Sequence, residues 1–374
     1  LAYRQRLKDS TEALGLQSQN NLSSILLDDG SSLQNPNPIP YIGADNTLRA
    51  GDTLPAVTGV IDYGLATSSN TGIADWRIHP TQPLAFARAN ARTSTPPAVG
   101  GNVKVSSFNV LNFFTTFTNG QTATGQTGQG CAPSNTTADC RGADNLAEFN
   151  RQRDKIVAAM AAIGADVFGL MELQNNGNTA AQNLVDGLNA TLGAGTYAVA
   201  ALPTGGSGTD AIRVGLIYKP GSVTPVGNPF SDTDPIHNRP PLAQTFALAN
   251  GEKFSVVVNH FKSKGCGSAA GADLDQGDGQ GCYNDRRVQQ SQRLLAFVGT
   301  VQAAAGDDDV LIVGDLNAYG QEDPIDTLVQ GGLANQVGRF DGAPYSYVFD
   351  GESGTLDYAL ATASLSAQVN GAAE

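Results

Sequence analysis

The chain of 374 residues contains no apolar run approaching the roughly eighteen residues that a membrane-spanning helix needs, so it is read as soluble, without membrane insertion. It is short of cations: 22 Lys and Arg stand against 35 Asp and Glu, a formal charge of −13. That shortage argues against holding nucleic acid by bulk positive charge. It leaves nucleic acid open as a substrate, because a divalent metal and a few local cations can neutralise phosphate at the point of contact. Histidine is scarce, with only His79, His237 and His260. The 4 cysteines include no Cys-x-x-Cys and no clustered histidine accompanies them, which disfavours zinc.

Cys131 and Cys140 bracket one short loop, and Cys266 and Cys282 another. Three pairings are open in principle, and closing two separate glycine-rich loops is the simplest. Two local disulfides imply an oxidising compartment. Acidity, few lysines, 44 glycines and abundant Asn, Thr and Ser fit a secreted bacterial protein. The first residue is Leu1, with neither a start Met nor a signal-like stretch, so we expect a processed or excised piece whose targeting signal lies outside it.

Residues 1–92 carry short strand-like runs (SSILLDDG, TLPAVTGVIDYG, WRIHP, PLAFAR) separated by Pro, Gly and Asn. Helical periodicity is absent there beyond residues 3–16, and the segment predicts a small β barrel or sandwich fragment. TSTPPAVGG, residues 93–101, reads as a linker because Pro-Pro and Gly-Gly break both helix and strand. From residue 102 to 374 strands alternate with helices. Leu146, Phe149, Ile156, Val157, Met160 and Ile163 recur at helical spacing, as do Val288, Leu294, Leu295, Val298 and Val301. Pro324 after Asp323 marks a further helix start. TYAVAALP, AIRVGLIYKP and QTFALA add strands without long helices between them, whereas a wholly parallel sheet needs a crossover helix for every pair. Two packed mixed sheets covered by helices, an α/β sandwich, fit better. No internal repeat is present.

Four apolar runs end in residues suited to phosphoryl chemistry: VKVSSFNVLNFF with Asn109, ADVFGLMELQN with Glu172, FSVVVNHFKSKG with His260, and DVLIVGDLNAY with Asp315 and Asn317. A fifth, GTLDYALAT, adds Asp357. Strand ends place such side chains over a loop-lined cleft. Glu172 follows an interior run, and a buried carboxylate must be paired, protonated or metal-bound; a salt bridge is the plain alternative. Oxygen ligands of this kind suit Mg²⁺. His260 is followed by Lys262 and Lys264, which together make an anion site. Asp315 and Asn317, at i and i+2, would point to one face of a strand, with an Asx turn as the competing reading. Asn109 is either a turn former or an amide donor to phosphate or metal water. Asp357 is best used to orient an imidazole. Asp273, Asp275 and Asp278 alternate with glycine inside the Cys266–Cys282 loop and form a candidate calcium loop, though no Glu follows at EF-hand spacing and an ordinary solvated acidic loop is the preferred reading.

FNVLNFF, MELQN, NHFKSKG, GDLNAY and LDYALA, in this order, resemble the endonuclease/exonuclease/phosphatase superfamily with its DNase I-like fold. The likeness covers residues 102–374. CRGADN, NRPPLAQTF and DQGDGQGCYN bring it nearest to bacterial extracellular nucleases of the ExeM/NucH type, and residues 1–92 are similar to the OB-like region upstream in those proteins. The resemblance implies a four-layer α/β sandwich and cleavage of phosphodiesters with Mg²⁺ or Mn²⁺, Ca²⁺ being a further candidate. It implies that Glu172 is the main metal ligand with Asn109 beside it, and that His260 is a catalytic histidine. Asp315 and Asn317 would position water and phosphate, Asp357 would orient a second histidine, and Arg239, Lys262 and Lys264 would meet substrate. The expected substrate is nucleic acid, DNA in preference to RNA, and the expected location extracellular, with cell-surface association open.

The family pattern ends in a strand preceded by Ser-Asp-His; this chain ends VNGAAE without it, so the last strand is expected to be missing and cleavage impaired. Alternatives are a phosphatase or lipid phosphodiesterase of the same superfamily, or a nucleic-acid-binding or adhesion fragment. No exposed aromatic hairpin or amphipathic membrane helix is predicted that would favour lipid.

Overall fold

A computed structural model describes residues 11–31, 33, 38–39, 41–43, 47–65, 74–91, 93–342, 344–349 and 352–374. They divide into two compact units, one drawn from 11–94 with 348–353 and the other from 95–347 with 354–374.

In the first unit, helix α1 (Thr11–Leu22) precedes strands β1 (Leu26–Leu27), β2 (Gly59–Leu65) and β3 (Ala74–Pro80). They form one 3-stranded sheet in the order β1-β3-β2, with β2 and β3 antiparallel. Two of the strand-like runs thus form a pair, and Ala87 of the run PLAFAR bridges to Thr53. The barrel expected of an OB-like region is not seen among the described residues. Tyr63 and Trp76 lie opposite each other with ring centroids 5.0 Å apart, and they are 56% and 55% exposed. The two paired strands thus carry one exposed aromatic pair.

The second unit runs β4 (Val105–Phe113), α2 (Leu146–Ile163), β5 (Val167–Gln174), α3 (Thr179–Leu192), β6 (Ala198–Val199), β7 (Ile212–Tyr218), β8 (Thr224–Ser231), β9 (Leu242–Ala247) and β10 (Lys253–His260). It continues through α4 (Asn284–Ala305), β11 (Val310–Asp315), α5 (Asp323–Gln330), β12 (Ala334–Asn335) and α6 (Gln336–Phe340) to β15 (Asp357–Ala361). The short pair β13 (Tyr347–Phe349) and β14 (Glu352–Gly354), before β15 in the chain, falls mostly in the first unit. A 4-stranded sheet has the order β4-β5-β7-β6, and a 6-stranded sheet the order β12-β15-β11-β10-β9-β8. Both are mixed: β4 and β5 are parallel, as are β10 and β11, while β7, β9 and β15 run antiparallel to their neighbours.

Burial explains the layering. Val167, Met171, Val214 and Leu216 of the smaller sheet pack against Leu242, Phe246, Val256, Val258 and Val313 of the larger. On the outer faces, Phe168 and Leu170 meet Phe149, Met160, Leu184 and Leu188 of α2 and α3. Val257 and Ile312 meet Leu294, Val298 and Val301 of α4 and Ile325 and Leu328 of α5. The result is helix, sheet, sheet, helix, the α/β sandwich expected. Asn145 caps α2 by accepting a hydrogen bond from the Glu148 amide, and Pro324 sits in the first turn of α5. Helix α3 is an element the sequence reading did not predict. Its apolar residues Ala180, Ala181, Leu184, Val185 and Leu188 do follow helical spacing, but Asn, Thr and Gly interleave them. Both disulfides close as expected, Cys131 with Cys140 and Cys266 with Cys282.

Candidate active site

Strand parity assembles the site. Val105 and the inter-sheet residues Val256, Val258, Val313 and Ala359 share odd or even register with Asn109, His260, Asp315 and Asp357 on their own strands. Side chains two apart on a strand share a face, so these four groups emerge on the inner faces of the sandwich. They also emerge at one end, because Asn109 lies near the C-terminal end of β4, His260 and Asp315 close β10 and β11, and Asp357 opens the antiparallel β15. His260 is paired in register with Asp315, and Asp315 with Asp357.

Glu172 breaks parity, since it follows Met171, which already points inward. The pairing of β5 shifts register between Leu170 and Leu173, and Glu172 adopts φ 65°, a left-handed conformation that a non-glycine residue holds only under tertiary constraint. The bulge redirects its carboxylate into the site. Leu111 and Asn112 on the adjoining β4 have φ 50° and 46°, and the Asn112 amide donates to Glu172 Oε2 at 2.8 Å. Asn112 is a site residue that sequence reasoning missed, although it lies in the same NVLNFF run. Gly314 permits the approach of β10 to β11: it has φ 142°, and a Cβ there would lie 2.0 Å from the Asn259 carbonyl oxygen.

The groups converge closely. Asn109 Nδ2 lies 3.2 Å from Glu172 Oε1 and 3.3 Å from Asp315 Oδ2, donating between two carboxylates. His260 Nε2 is 3.9 Å from the same two oxygens. Burial, reinforced by the Arg239 guanidinium, lowers the His260 pKa well below the ordinary imidazole value, so the ring is neutral. Burial first, and then the negative charge of Asp357, push the Asp315 carboxyl up to about 7. Asp357 is raised by burial as well, against a hydrogen bond from Ser346. The three histidines have other partners than Asp357: His260 faces Glu172 and Asp315, His237 pairs with Asp232, and His79 pairs with Asp28.

Asn317 does not stand beside Asp315 on a strand face. The strand ends at Asp315, Asn317 has φ 49°, and its amide donates to Asp315 Oδ1 at 2.9 Å, the Asx turn weighed as the competing reading. Its side chain donates to the Phe261 carbonyl at 3.1 Å. Arg239 is buried, and its Nε donates to the His260 carbonyl at 3.2 Å while Nη2 donates to the Phe261 carbonyl. Nη1 lies 3.6 Å from Asp210. Lys262 is partly buried, with Nζ 4.3 Å from the Tyr283 ring centroid, and burial and Arg239 lower its pKa. Lys264 is turned to the buried Glu322, its Nζ 2.7 and 2.6 Å from the two carboxylate oxygens. Lys264 Nζ also donates to the Gln280 carbonyl, and so joins the Cys266–Cys282 loop to the residue that precedes α5.

Among the described residues no group of three or more His, Cys, Asp or Glu side chains is disposed to hold a metal ion. In the candidate calcium loop, Asp275 accepts from the Gly277 amide, and Asp278 from the Gln280 amide and side chain. Those carboxylates cap turns. The central site fits a different donor set. Two hard carboxylate oxygens, on Glu172 and Asp315, face one another across a single amide group, and one or two carboxylates with retained waters are what Mg²⁺ takes.

The family model for the endonuclease/exonuclease/phosphatase family matches residues 106–372, and the chain belongs to that family. Its members include nucleases and phosphatases, hydrolytic enzymes of phosphate esters that typically use divalent metal ions. Among solved structures, the chain is similar to the human Nocturnin catalytic domain with bound sulfate (19% identity, 57% of this chain and 75% of that one, TM-score 0.39). It is similar also to an endonuclease/exonuclease/phosphatase from Bacteroides vulgatus (14% identity, 70% and 87% covered, TM-score 0.44). A third is the mannosyl-6-phosphatase of Bacteroides thetaiotaomicron (12% identity, 70% and 86% covered, TM-score 0.42). No curated protein matches.

Proposed function

We propose that this protein is a secreted, divalent-metal-dependent phosphodiesterase that cleaves extracellular nucleic acid, DNA in preference to RNA, in the manner of the bacterial ExeM/NucH-type nucleases. The observation that carries this reading is the convergence of Asn109, Glu172, His260 and Asp315, with the Asn109 amide and the His260 imidazole each within 4 Å of both carboxylates. Two disulfides support an oxidising location.

Glu172, with Asn109 beside it, would hold the metal, which when bound neutralises charge developing on the phosphoryl oxygens. Asn109 orients the two carboxylates. The neutral His260, whose Nδ1 is buried without a hydrogen-bond partner, presents Nε2 towards the oxygens of the reacting phosphate. Asp315 Oδ2 is the oxygen placed to orient an attacking water and receive its proton. Arg239 and Asn317 hold the backbone on which His260 rides, through the carbonyls of His260 and Phe261.

Nicking of supercoiled plasmid DNA with Mg²⁺ or Mn²⁺, abolished by chelator, is the expected result; a phosphomonoester and RNA serve as comparison substrates. Hydrolysis of the monoester without any DNA cleavage would replace this reading by a phosphatase. A lipid phosphodiesterase is a second reading, favoured by the exposed Tyr63–Trp76 pair. Sphingomyelin vesicles belong in the same assay to test it.

A further inference from the structure

The run CRGADN, singled out in the sequence, has no part in the chemistry above, yet it is built into the rim of the site. Cys140 is buried and bonded to Cys131. Gly142 packs on the end of β4 beyond Asn109: a Cβ there would lie 2.5 Å from Phe114 Cβ and 3.1 Å from the Asn112 carbonyl oxygen. Asn112 is the residue whose amide holds Glu172. Arg141 is therefore clamped on both sides against the segment that positions the proposed metal ligand.

Its own side chain is left available. The Arg141 guanidinium is 46% exposed and makes one long ion pair, 3.6 Å to Asp210 Oδ1, with no hydrogen bond. The other oxygen of Asp210 lies 3.6 Å from Arg239 Nη1. The two arginines divide the work. Arg239, 8% exposed, spends its donors on the carbonyls of His260 and Phe261 and on Asp210. Arg141, on the outer side of Asp210, keeps most of its donors free. The nearby Asp139 carboxylate is occupied by the Ser134 amide. Asp210 thus joins Arg141 to Arg239, whose charge acts on the carboxylates of Asp315 and Glu172.

We propose that Arg141 is a substrate-binding residue that contacts a phosphate flanking the scissile one, and so selects a polyanionic strand over a substrate with a single phosphate. This rests on the phosphodiesterase reading above and deepens it. An exposed guanidinium held a fixed step outside the reacting centre suits a neighbouring phosphate, which it can meet with two parallel N–H donors. The long contact to Asp210 is given up easily, as exposed ion pairs of this length contribute little.

The test compares Arg141→Ala with wild type on DNA and on bis(4-nitrophenyl) phosphate, which has one phosphodiester. The ratio of kcat/KM on DNA to that on the small diester is expected to fall on the order of tenfold, the worth of a hydrogen-bonded charge. Binding of a short fluorescent oligonucleotide is expected to lose about one unit of slope in log Kd against log salt. An unchanged ratio and slope, with DNA cleaved by the wild type, would overturn this assignment alone. A parallel loss on both substrates would do so too, since it means that Arg141 acts through Asp210 and Arg239 on the catalytic strand. A wild-type protein that hydrolyses the small diester but neither cleaves nor binds DNA overturns the nucleic-acid reading and this one with it.

Discussion

Asp315 and Asp357 face each other in register across β11 and β15, two buried carboxyl groups on adjoining strands. Burial raises both, and each adds to the cost of ionising its neighbourhood. Between the ordinary carboxylate value of 3.8 and about 7 the folded protein therefore binds more protons at Asp315 than the unfolded chain does. By linkage this stabilising contribution is complete below the lower value and is lost as pH rises through the upper one. The metal-free protein is expected to lose stability from pH 4 to pH 7 relative to Asp315→Asn, in chelator, by thermal or urea denaturation. Parallel pH profiles for the two proteins would refute it.

Glu172→Gln is expected to lower metal-dependent DNA cleavage by roughly two to three orders of magnitude, the effect of removing one electrostatic contributor from a preorganised site. The same variant should lose the rise in melting temperature that Mg²⁺ gives the wild type. Retention of that rise would assign the metal to other residues.

Arg239→Met removes a buried cation that serves three acceptors, the His260 and Phe261 carbonyls and Asp210. A loss of about 3–5 kcal/mol is expected, because the partner carboxylate is left uncompensated. Urea denaturation measures it. Activity should fall for both DNA and a small diester, in contrast to the selective effect expected at Arg141.

Lys264→Met should cost about as much, for it strands the buried Glu322. Its effect on binding is the more telling measurement. The salt dependence of oligonucleotide binding is expected to be unchanged, since its ammonium is committed to Glu322 and not to phosphate. A slope lower by about one unit would return Lys264 to the substrate-binding set.

Replacing both Cys131 and Cys140 by Ser opens a loop of sequence separation 9. Loop-closure entropy sets the loss at about 2.5 kcal/mol. Cys131 Sγ also lies 3.4 Å from Gln174 Nε2, and Gln174 Oε1 accepts from the Thr115 and Thr116 amides. The DNA-to-small-diester ratio should fall here as it does for Arg141→Ala, because Arg141 loses its anchor. A stability loss with no change in that ratio would separate the two effects.

Much of the site was legible because strand ends announce themselves: β-branched runs stop at Asn109, His260 and Asp315, and those residues do converge. The position of Asp357 was legible for the same reason, but its partner was not. Register places it beside another carboxylate, and register is set by pairing that no local pattern records. Glu172 was found for an incomplete reason, since only the bulge and its left-handed φ explain how the residue after an inward Met171 also turns inward. Arg239 is a substrate contact only by resemblance, and Lys264 only by its place after His260 in the sequence. Their carbonyl and carboxylate partners lie 21, 22 and 58 residues away and appear only in the fold. Asp210 and Arg141 carried no strand-end signal at all.

The shared parity of β4, β10, β11 and β15 has a consequence for how such a protein can vary. Exchange of one aliphatic residue for another along these strands leaves every functional group aimed as before. Loss or gain of a single residue inside β10 or β11 would swing His260 or Asp315 through half a turn into the helical layer, where there is neither water nor substrate. Length within these strands is thus the conserved quantity the architecture demands, and drift in composition is comparatively free.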